Sequence, residues 1–236
     1  MDPLVSAILN NDPQRHMASL GFFDNYPVKA YYIKGGSALV LGESDHLWMH
    51  CVGDSGPDMC VLLEEHHRLT PYYYSVEDNV LPCILKYGDS DWIFRTERYV
   101  LNDEIHPETP VNGTCRLEQT DAAYIYGYSD YQTYTSLAYI CDRLQRDISV
   151  GIRIAGRLVA WGFTHDDGAL GFLYVLKAYR GRGYASSVLQ ELIRLRRQTG
   201  KPVFCNIVPD NDPSISLVRK TGFRLDRAVS WLKLKA

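Results

Sequence analysis

The stretch Tyr179-Arg180-Gly181-Arg182-Gly183-Tyr184-Ala185 decides how the second half of this chain is interpreted. The apolar run Ala169–Leu176 precedes it and predicts a central strand covered on both faces. After it, apolar residues recur at helical spacing until Gly200 ends the predicted helix. The first amides of a helix have no partner within it, and glycine lets a phosphate approach the backbone closely. We therefore expect the amides of Gly181–Ser186 to bind a phosphate group.

The sequence around this turn is basic, although the whole chain carries a net charge of −3. Seven lysines and arginines lie from Lys177 to Lys201, with Glu191 as the one acid among them. The pattern is not a dinucleotide-binding fingerprint, because the further glycine three residues on is missing, and no Gly-Lys-Ser/Thr follows as in a P-loop. A tight turn followed by a solvated basic helix is the alternative interpretation of the same residues.

The composition restricts the classes of function. Hydrophobic residues make up 46% of the chain and charged residues 22%, which is typical of a globular protein. The slightly acidic balance gives no reason to expect a nucleic acid or an anionic membrane as partner. No apolar run approaches the about 20 residues that span a bilayer, and the start of the chain does not resemble a secretory signal. Six scattered cysteines without a Cys-x-x-Cys pair indicate neither a zinc site nor a disulfide framework. We expect reduced thiols in a cytoplasmic monomer or homodimer.

The two halves of the chain have different patterns. In residues 1–110, turn signals separate four short strand-like runs, which are Val28–Ile33, Ala38–Leu41, Leu47–Val52 and Met59–Leu63. The segment Glu104–Gly113 holds two prolines and several polar residues, which is typical of a linker. We therefore predict a strand-rich domain over residues 1–110 and a second domain over residues 111–236. A degenerate copy of the second domain is one interpretation of the first.

The second half alternates helical and strand-like patterns. Helices are predicted from Thr120 to Gly127, over Ser136–Arg146 and over Pro213–Thr221. The remaining apolar runs predict strands over 150–154, 158–163, 203–208, 223–225 and 229–234.

Two motifs of this half resemble those of a known family. Arg180–Ala185 resembles the [Q/R]-x-x-G-x-[G/A] signature of the GNAT N-acyltransferases. Asn211–Phe223 resembles their second signature, an Asn-led helix that ends in Lys-x-Gly-Phe. The resemblance covers Val111–Ala236 and implies the GNAT fold, an α/β (α+β) protein whose mixed, mostly antiparallel sheet is flanked by helices. A strand-rich N-terminal half joined to such a domain is similar to the glycine N-acyltransferase-like group.

The resemblance also implies roles for individual residues. Leu173, Tyr174 and Val175 would bond through their backbone to the pantetheine arm of acyl-CoA, and Asn211 would contact it from the opposite wall. The pyrophosphate would lie on the turn, which comprises Arg180, Gly181, Arg182, Gly183, Tyr184, Ala185 and Ser186. A backbone amide near Val175 would stabilise the oxyanion. Acetyl-CoA or another acyl-CoA would be the co-substrate, without a metal, and a primary amine of a small molecule or peptide would attack the thioester directly.

The sequence departs from the family at both usual catalytic positions. Val218 stands where many members carry the tyrosine acid, and Asn206 stands where many carry the glutamate base. Positioning alone could supply about 7–11 kcal/mol of the acceleration. Other side chains could also substitute, and the catalytic candidates are then Tyr174, Ser216 and Asn206, with Asp210 and His165 nearby in sequence. A third possibility is a regulatory module that binds acyl-CoA without turning it over.

Two further clusters stand out. Five tyrosines lie between Tyr124 and Tyr134, and either shape an acceptor pocket or pack as a wall against the first half. The pair His66-His67 follows two glutamates, but adjacent side chains point apart in regular structure, which disfavours a metal site there.

Overall fold

The computed structural model describes residues 2–235, which divide into two units. The first unit takes in the chain up to Arg98, the short segment Val208–Asp210 and the chain from Asp226 onward. The second unit comprises Tyr99–Ile207 and Asn211–Leu225. The division at residue 98 differs from the predicted one at residue 110, and the last strand returns to the first unit. None of the helices in the described range is both long and apolar enough to cross a membrane.

Within residues 2–101, the first half of the chain forms four α-helices and five strands. In chain order they are α1 (Pro3–Asn11), α2 (Met17–Asn25), β1 (Val28–Lys34), β2 (Ser37–Glu43), β3 (Leu47–Gly53), α3 (Pro57–His66), β4 (Tyr72–Glu77), α4 (Leu81–Ile84) and β5 (Ser90–Leu101).

The second half repeats this order of two helices, three strands, a helix, a strand, a helix and a strand. Its elements are α5 (Ala122–Gly127), α6 (Leu137–Arg146), β6 (Ser149–Ile154), β7 (Arg157–Thr164), β8 (Leu170–Val175), α7 (Tyr184–Gln198), β9 (Phe204–Ile207), α8 (Asp212–Lys220) and β10 (Phe223–Leu234). The mixed, mostly antiparallel sheet with flanking helices that the sequence predicts is confirmed.

The predicted strand Met59–Leu63 is wrong, because these residues belong to helix α3. Met59, Leu62 and Leu63 are buried together, at the spacing that places residues on one face of a helix. Pro57 occupies the first turn of this helix, where its missing N–H costs nothing. A short apolar run has no clear period and therefore does not distinguish a strand from a helix. The helix start signal at Pro57 is the better guide here.

In the first unit, the strands follow the order β1-β2-β3-β4-β10-β5. Strand β4 lies parallel to β3, with Trp48, Met49 and His50 opposite the three tyrosines Tyr72–Tyr74. The pairing closes the sheet between these two strands. On the other side β4 pairs with β10, which is one continuous strand instead of the two that the sequence predicts.

In the second unit, strands β6, β7 and β8 form an antiparallel sheet. Helix α7 packs on one face of it, where a Cβ at Gly162 would lie 2.9 Å from Leu192 and 3.0 Å from Val188. Glycine at this position of β7 lets the helix approach closely. Trp161, the neighbour of Gly162, faces the opposite side of the sheet.

The predicted linker lies in the second unit and is held on helix α7. The amide of Glu108 donates to the side-chain oxygen of Gln190 at 2.9 Å, and the amide of Asn112 donates to Ser187 Oγ at 3.2 Å. The segment therefore has irregular backbone, as predicted, but is anchored by hydrogen bonds to a helix.

Candidate functional site

Strands β8 and β9 are neighbours that do not share a sheet. They lie next to each other, but β8 is the last strand of the β6-β7-β8 sheet whereas β9 is hydrogen-bonded to β5. The amide of Leu101 donates to the carbonyl of Val203 at 2.9 Å and helps to hold β9 on that other strand. A slot between two diverging strands results.

The backbone of Val175 faces this slot. The amide of Leu176 donates to the carbonyl of Val159 at 2.9 Å, and Val175 is opposite Ala160 in the register of β8 with β7. Because successive residues of an antiparallel pair alternate in direction, the N–H and C=O of Val175 point away from β7. The side chain of Arg180 confirms this direction, since its Nε donates to the carbonyl of Val175 at 3.1 Å.

A bulge bends β8 just before this point. Two residues, Phe172 and Leu173, lie opposite the single residue Gly162, and Phe172 has a φ of +50°. A bulky residue in this left-handed conformation costs about 1–3 kcal/mol. The ring of Phe172 stacks on Phe163 at 4.2 Å, and this contact holds the strained conformation. Bulges bend a strand and re-aim the residues that follow, so the bulge turns β8 just before Val175, while its pairing with β7 continues.

The sequence predicted β8 to be covered on both faces, and this is only partly right. Leu170 and Leu176 are buried, but the residues between them are half-buried. Strand β8 is an edge strand of its sheet, so the apolar run lies on a strand with one unpaired edge.

A short 3-10 turn, Lys177–Tyr179, and then the glycine turn connect β8 to helix α7. Gly181 and Gly183 have φ values of +75° and +79°, a conformation that other residues rarely adopt. A Cβ at Gly181 would meet no atom within 4 Å, so the space in front of this residue is open. The first α-helical hydrogen bond runs from Ser187 to the carbonyl of Gly183 at 3.0 Å. The amides of Tyr184–Ser186 therefore precede the ladder and lie at the positive end of the helix dipole.

Only part of the predicted basic stretch belongs to this turn. Arg194 forms an ion pair with Glu191 at 2.6 Å, and Arg197 donates to the carbonyl of Asp103 at 2.6 Å. Arg196 is buried and donates to the carbonyl of Pro202. The cations at the turn itself are Lys177, Arg180 and Arg182, all exposed.

Tyr174 belongs to a layer of aromatic rings on the face of the sheet opposite α7. Its ring stacks on Trp161 at 4.9 Å and lies 5.8 Å from Tyr128. Tyr124 lies 5.9 Å from Trp161, and its hydroxyl donates to the carbonyl of Leu158 at 3.4 Å. We call Tyr124, Tyr128, Trp161 and Tyr174 the aromatic shelf. Tyr124, Tyr126 and Tyr128 of the predicted tyrosine cluster thus pack against the core of the second unit, whereas Tyr131 and Tyr134 are exposed.

The three catalytic candidates lie on three different elements. Tyr174 is on β8, Asn206 is half-buried on β9, and Ser216 is exposed on α8. Within residues 2–235, the Oδ1 atom of Asn206 is buried and has no hydrogen-bond partner. Neither of the two hydroxyls is therefore bonded to it. Unpaired buried acceptors are uncommon, which makes this atom a candidate for a hydrogen bond from a ligand.

The second motif forms helix α8 as predicted. Asn211 caps this helix by accepting a hydrogen bond from the amide of Ser214 at 3.3 Å. Val218 is buried in the core of the second unit, which explains why an apolar residue occupies that position.

The histidines singled out from the sequence have packing partners. His165 lies against Gly171 and 4.7 Å from the ring of Phe172, and burial lowers its pKa to about 4. It is therefore neutral at physiological pH. His66 stacks on Tyr32 at 3.7 Å and His67 on Tyr87 at 4.2 Å, so the two rings go to different tyrosines.

Three residues near the site had no clear signal in the sequence. Phe172 is strained, which only its backbone conformation reveals. Asn112 lies 3.7 Å from the position of a Cβ on Gly183, and a linker residue gives no hint of that contact. Arg157 has a raised pKa because it is hydrogen-bonded first to Tyr124 and also to Tyr128. Its place at the rim of the aromatic shelf follows from the pairing of β6 with β7.

Comparison with known proteins gives one matching family and several similar solved structures. The family described as FR47-like protein matches residues 149–232, which hold both motifs and most of the strands beside them. No curated protein sequence matches the chain.

Solved structures match nearly the whole chain. A Drosophila protein is 19% identical with a TM-score of 0.78, over 98% of this chain and 95% of its own. A GCN5-related N-acetyltransferase from Kribbella flavida is 15% identical with a TM-score of 0.60, over 94% and 96%. A tandem GNAT protein from the clavulanic acid biosynthesis pathway is 16% identical with a TM-score of 0.54, over 93% and 87%. At these identities the likeness to the solved structures shows the fold.

Proposed function

We propose that this chain is an acyl-CoA-dependent N-acyltransferase, with acetyl-CoA as the simplest donor and a primary amine of a small molecule or peptide as acceptor. The observation that carries the proposal is the slot between β8 and β9, with the two left-handed glycines of the turn at its end. An open strand edge and a helix N-terminus at one site match the two parts of CoA, an amide-rich arm and a pyrophosphate.

In this proposal, the pantetheine arm lies along the edge of β8 as an added strand. The backbone of Leu173, Tyr174 and Val175 borders it, and the pyrophosphate binds at the amides of Gly181–Ser186. Arg180 and Arg182 add charge at the turn, where both are exposed. Asn211 contributes from the start of α8.

Chemistry requires an acceptor for the proton of the amine and stabilisation of the oxyanion. The outward N–H of Val175 is the donor we assign to the oxyanion, because its direction is fixed by the bond between Leu176 and Val159. We assign the unpaired Oδ1 of Asn206 to the orientation of the attacking amine, which then loses its proton to water. Tyr174 is the candidate acid for the leaving thiolate, and Ser216 is a second candidate.

The aromatic shelf is the proposed wall of the acceptor site. It lies beside Val175 on the face that α7 leaves free, and Arg157 stands at its rim. Tyrosine and tryptophan combine large apolar area with a polar group, so this wall suits an acceptor with an apolar or aromatic part.

The test is release of free CoA thiol from acetyl-CoA in the presence of a panel of amines. We expect release that depends on one class of amine and follows the enzyme concentration. Tight CoA binding without release for any amine would instead favour the second candidate, a regulatory module, which the substitutions at Asn206 and Val218 make the main rival.

The first half is proposed to be a degenerate GNAT-like half that holds no acyl-CoA. Its elements follow the same order as those of the second half. The slot is closed, however, because β3 pairs with β4 where the corresponding strands β8 and β9 diverge. The likeness of 93% of the chain to a tandem GNAT protein supports this interpretation.

A further inference from the structure

Two cysteine side chains of the first unit are in direct contact. The Sγ atoms of Cys60 and Cys83 are 3.0 Å apart, and the two residues are 23 positions apart in the chain. Cys60 lies on helix α3 and Cys83 on helix α4, and both are half-buried free thiols. Solvent therefore reaches the pair.

The core of the first unit holds these two helices together. Met59 and Leu63 from α3 belong to the same buried cluster as Ile84 from α4, and Cys83 packs against that cluster. The thiols thus meet because their neighbours on both helices are fixed in a shared core. A disulfide bond is about 2.05 Å long, so closing it requires the sulfurs to approach by only about 1 Å.

We propose that Cys60 and Cys83 form a reversible intramolecular disulfide by exchange with a small disulfide such as oxidised glutathione. The thiolate of Cys60 attacks one sulfur of glutathione disulfide, and one glutathione thiolate leaves. Cys83 loses its proton to solvent and attacks the Cys60 sulfur of the mixed disulfide, which releases the second glutathione thiolate. Two protein thiols are oxidised, and one glutathione disulfide is reduced to two thiols.

The environment of the two thiols determines how fast the disulfide closes and which cysteine takes part. The hydrogen bond with Cys60, followed by burial, raises the pKa of the Cys83 thiol, so the closing step accelerates as the pH rises. Cys51 is a competing thiol, because its charge and that of Cys83 would interact. Burial raises the pKa of Cys51 to about 12, which keeps this thiol protonated and unreactive.

The experiment incubates the full-length Cys115→Ser protein with oxidised glutathione, then blocks the remaining thiols with N-ethylmaleimide. Removing the exposed Cys115 prevents disulfides between molecules. Before the thiols are blocked, we expect a protein about 2 Da lighter than the reduced form; after blocking, we expect a non-reduced peptide that links Cys60 to Cys83, and dithiothreitol should return both thiols. The bridge should raise Tm by several degrees, because it restricts the unfolded chain.

Three results would overturn the proposal. They are blocked thiols at both positions, a separate glutathione on each cysteine, and a bridge that uses Cys51. As a matched control, Cys83→Ser should stop at one mixed disulfide on Cys60 and show no gain in Tm. If that variant does not fold, the peptide map of the Cys115→Ser protein still decides between these results.

Discussion

The amide of Leu176 donates to the carbonyl of Val159 at 2.9 Å, and this bond turns the amide of Val175 away from the sheet. The direction follows from the alternation of an antiparallel ladder and is independent of any side chain. An amide that faces the slot is available to a ligand, and this is the donor that we assign to the oxyanion.

Removing that amide should damage turnover and leave the fold intact. Proline at position 175 lacks the N–H but loses no bond to β7, so an edge strand tolerates it there. We expect Val175→Pro to reduce kcat about 10²–10³-fold, the usual cost of one oxyanion donor. Val175→Ala keeps the amide and is the matched control, with near-normal kcat expected. Equal activity of the two variants would exclude this amide from catalysis.

Replacing Asn206 by an apolar residue should raise the stability of the protein and lower its activity. Leucine at this position removes a buried acceptor that has no partner among the described residues, so Asn206→Leu should raise the free energy of unfolding by about 1 kcal/mol or more. We also expect turnover to fall about tenfold, since one hydrogen bond to the amine is lost. Urea unfolding and thiol release measure the two effects on the same sample. A more stable protein with normal turnover would remove Asn206 from the mechanism.

Tyr174→Phe separates the hydroxyl of this residue from its ring. The ring contacts with Trp161 and Tyr128 remain, so the Tm should not change. If Tyr174 protonates the leaving thiolate, kcat falls about 10²–10⁴-fold. Tyr32→Phe, whose ring stacks on His66 in the first unit, is the control and should keep its activity. Normal turnover in Tyr174→Phe would leave this tyrosine with a packing role only.

Two buried histidines should make the first unit sensitive to acid. Burial lowers the pKa of His50 to about 3 and that of His16 to about 4, from 6.5 in the unfolded chain. The unfolded state therefore binds more protons between pH 6.5 and these values, and stability that is complete above pH 6.5 is lost as the pH falls. Each unit of pKa difference contributes about 1.4 kcal/mol.

The measurement is urea unfolding at several pH values between 7 and 4. The double variant Ser19→Ala/His50→Phe removes the titrating ring together with its hydrogen-bond partner, since Ser19 Oγ lies 3.1 Å from His50 Nδ1. Its stability should fall less steeply with acid than that of the parent. Identical slopes would show that His50 is not the group that binds the proton.

The sequence predicts the second half better than the first because its signals are local. Gly181 and Gly183 indicate a turn before a helix, and the helix predicted over Ser136–Arg146 is found at Leu137–Arg146. The pairing of strand edges is harder to predict. Apolar side chains indicate which faces of a strand are covered, but they do not indicate which strand lies beside it. The run Ala169–Leu176 therefore could not reveal that β8 borders a slot.

The missed parts of the site depend on contacts that are distant in the sequence. Arg194 and Arg197 suggest a basic face in the sequence. In the structure, however, Arg194 forms an ion pair with Glu191, and Arg197 donates a hydrogen bond to the carbonyl of Asp103. Helices α1 and α2 were missed because nothing in the opening residues has a strong period. These two helices precede β1–β3 as α5 and α6 precede β6–β8, which completes the shared order of elements in the two halves.

Calorimetric titration of CoA into three proteins tests the central claim most directly. Gly181 and Gly156 both have left-handed φ values, +75° and +80°, and a Cβ on either meets no atom within 4 Å. Alanine therefore costs each variant a similar amount of stability, about 1–2 kcal/mol, but only Gly181 lies on the turn. We predict one CoA per chain for the parent and for Gly156→Ala, and an affinity at least about tenfold weaker for Gly181→Ala, a loss of about 1.4 kcal/mol. Equal affinity in all three proteins, or no binding by the parent, would contradict the account.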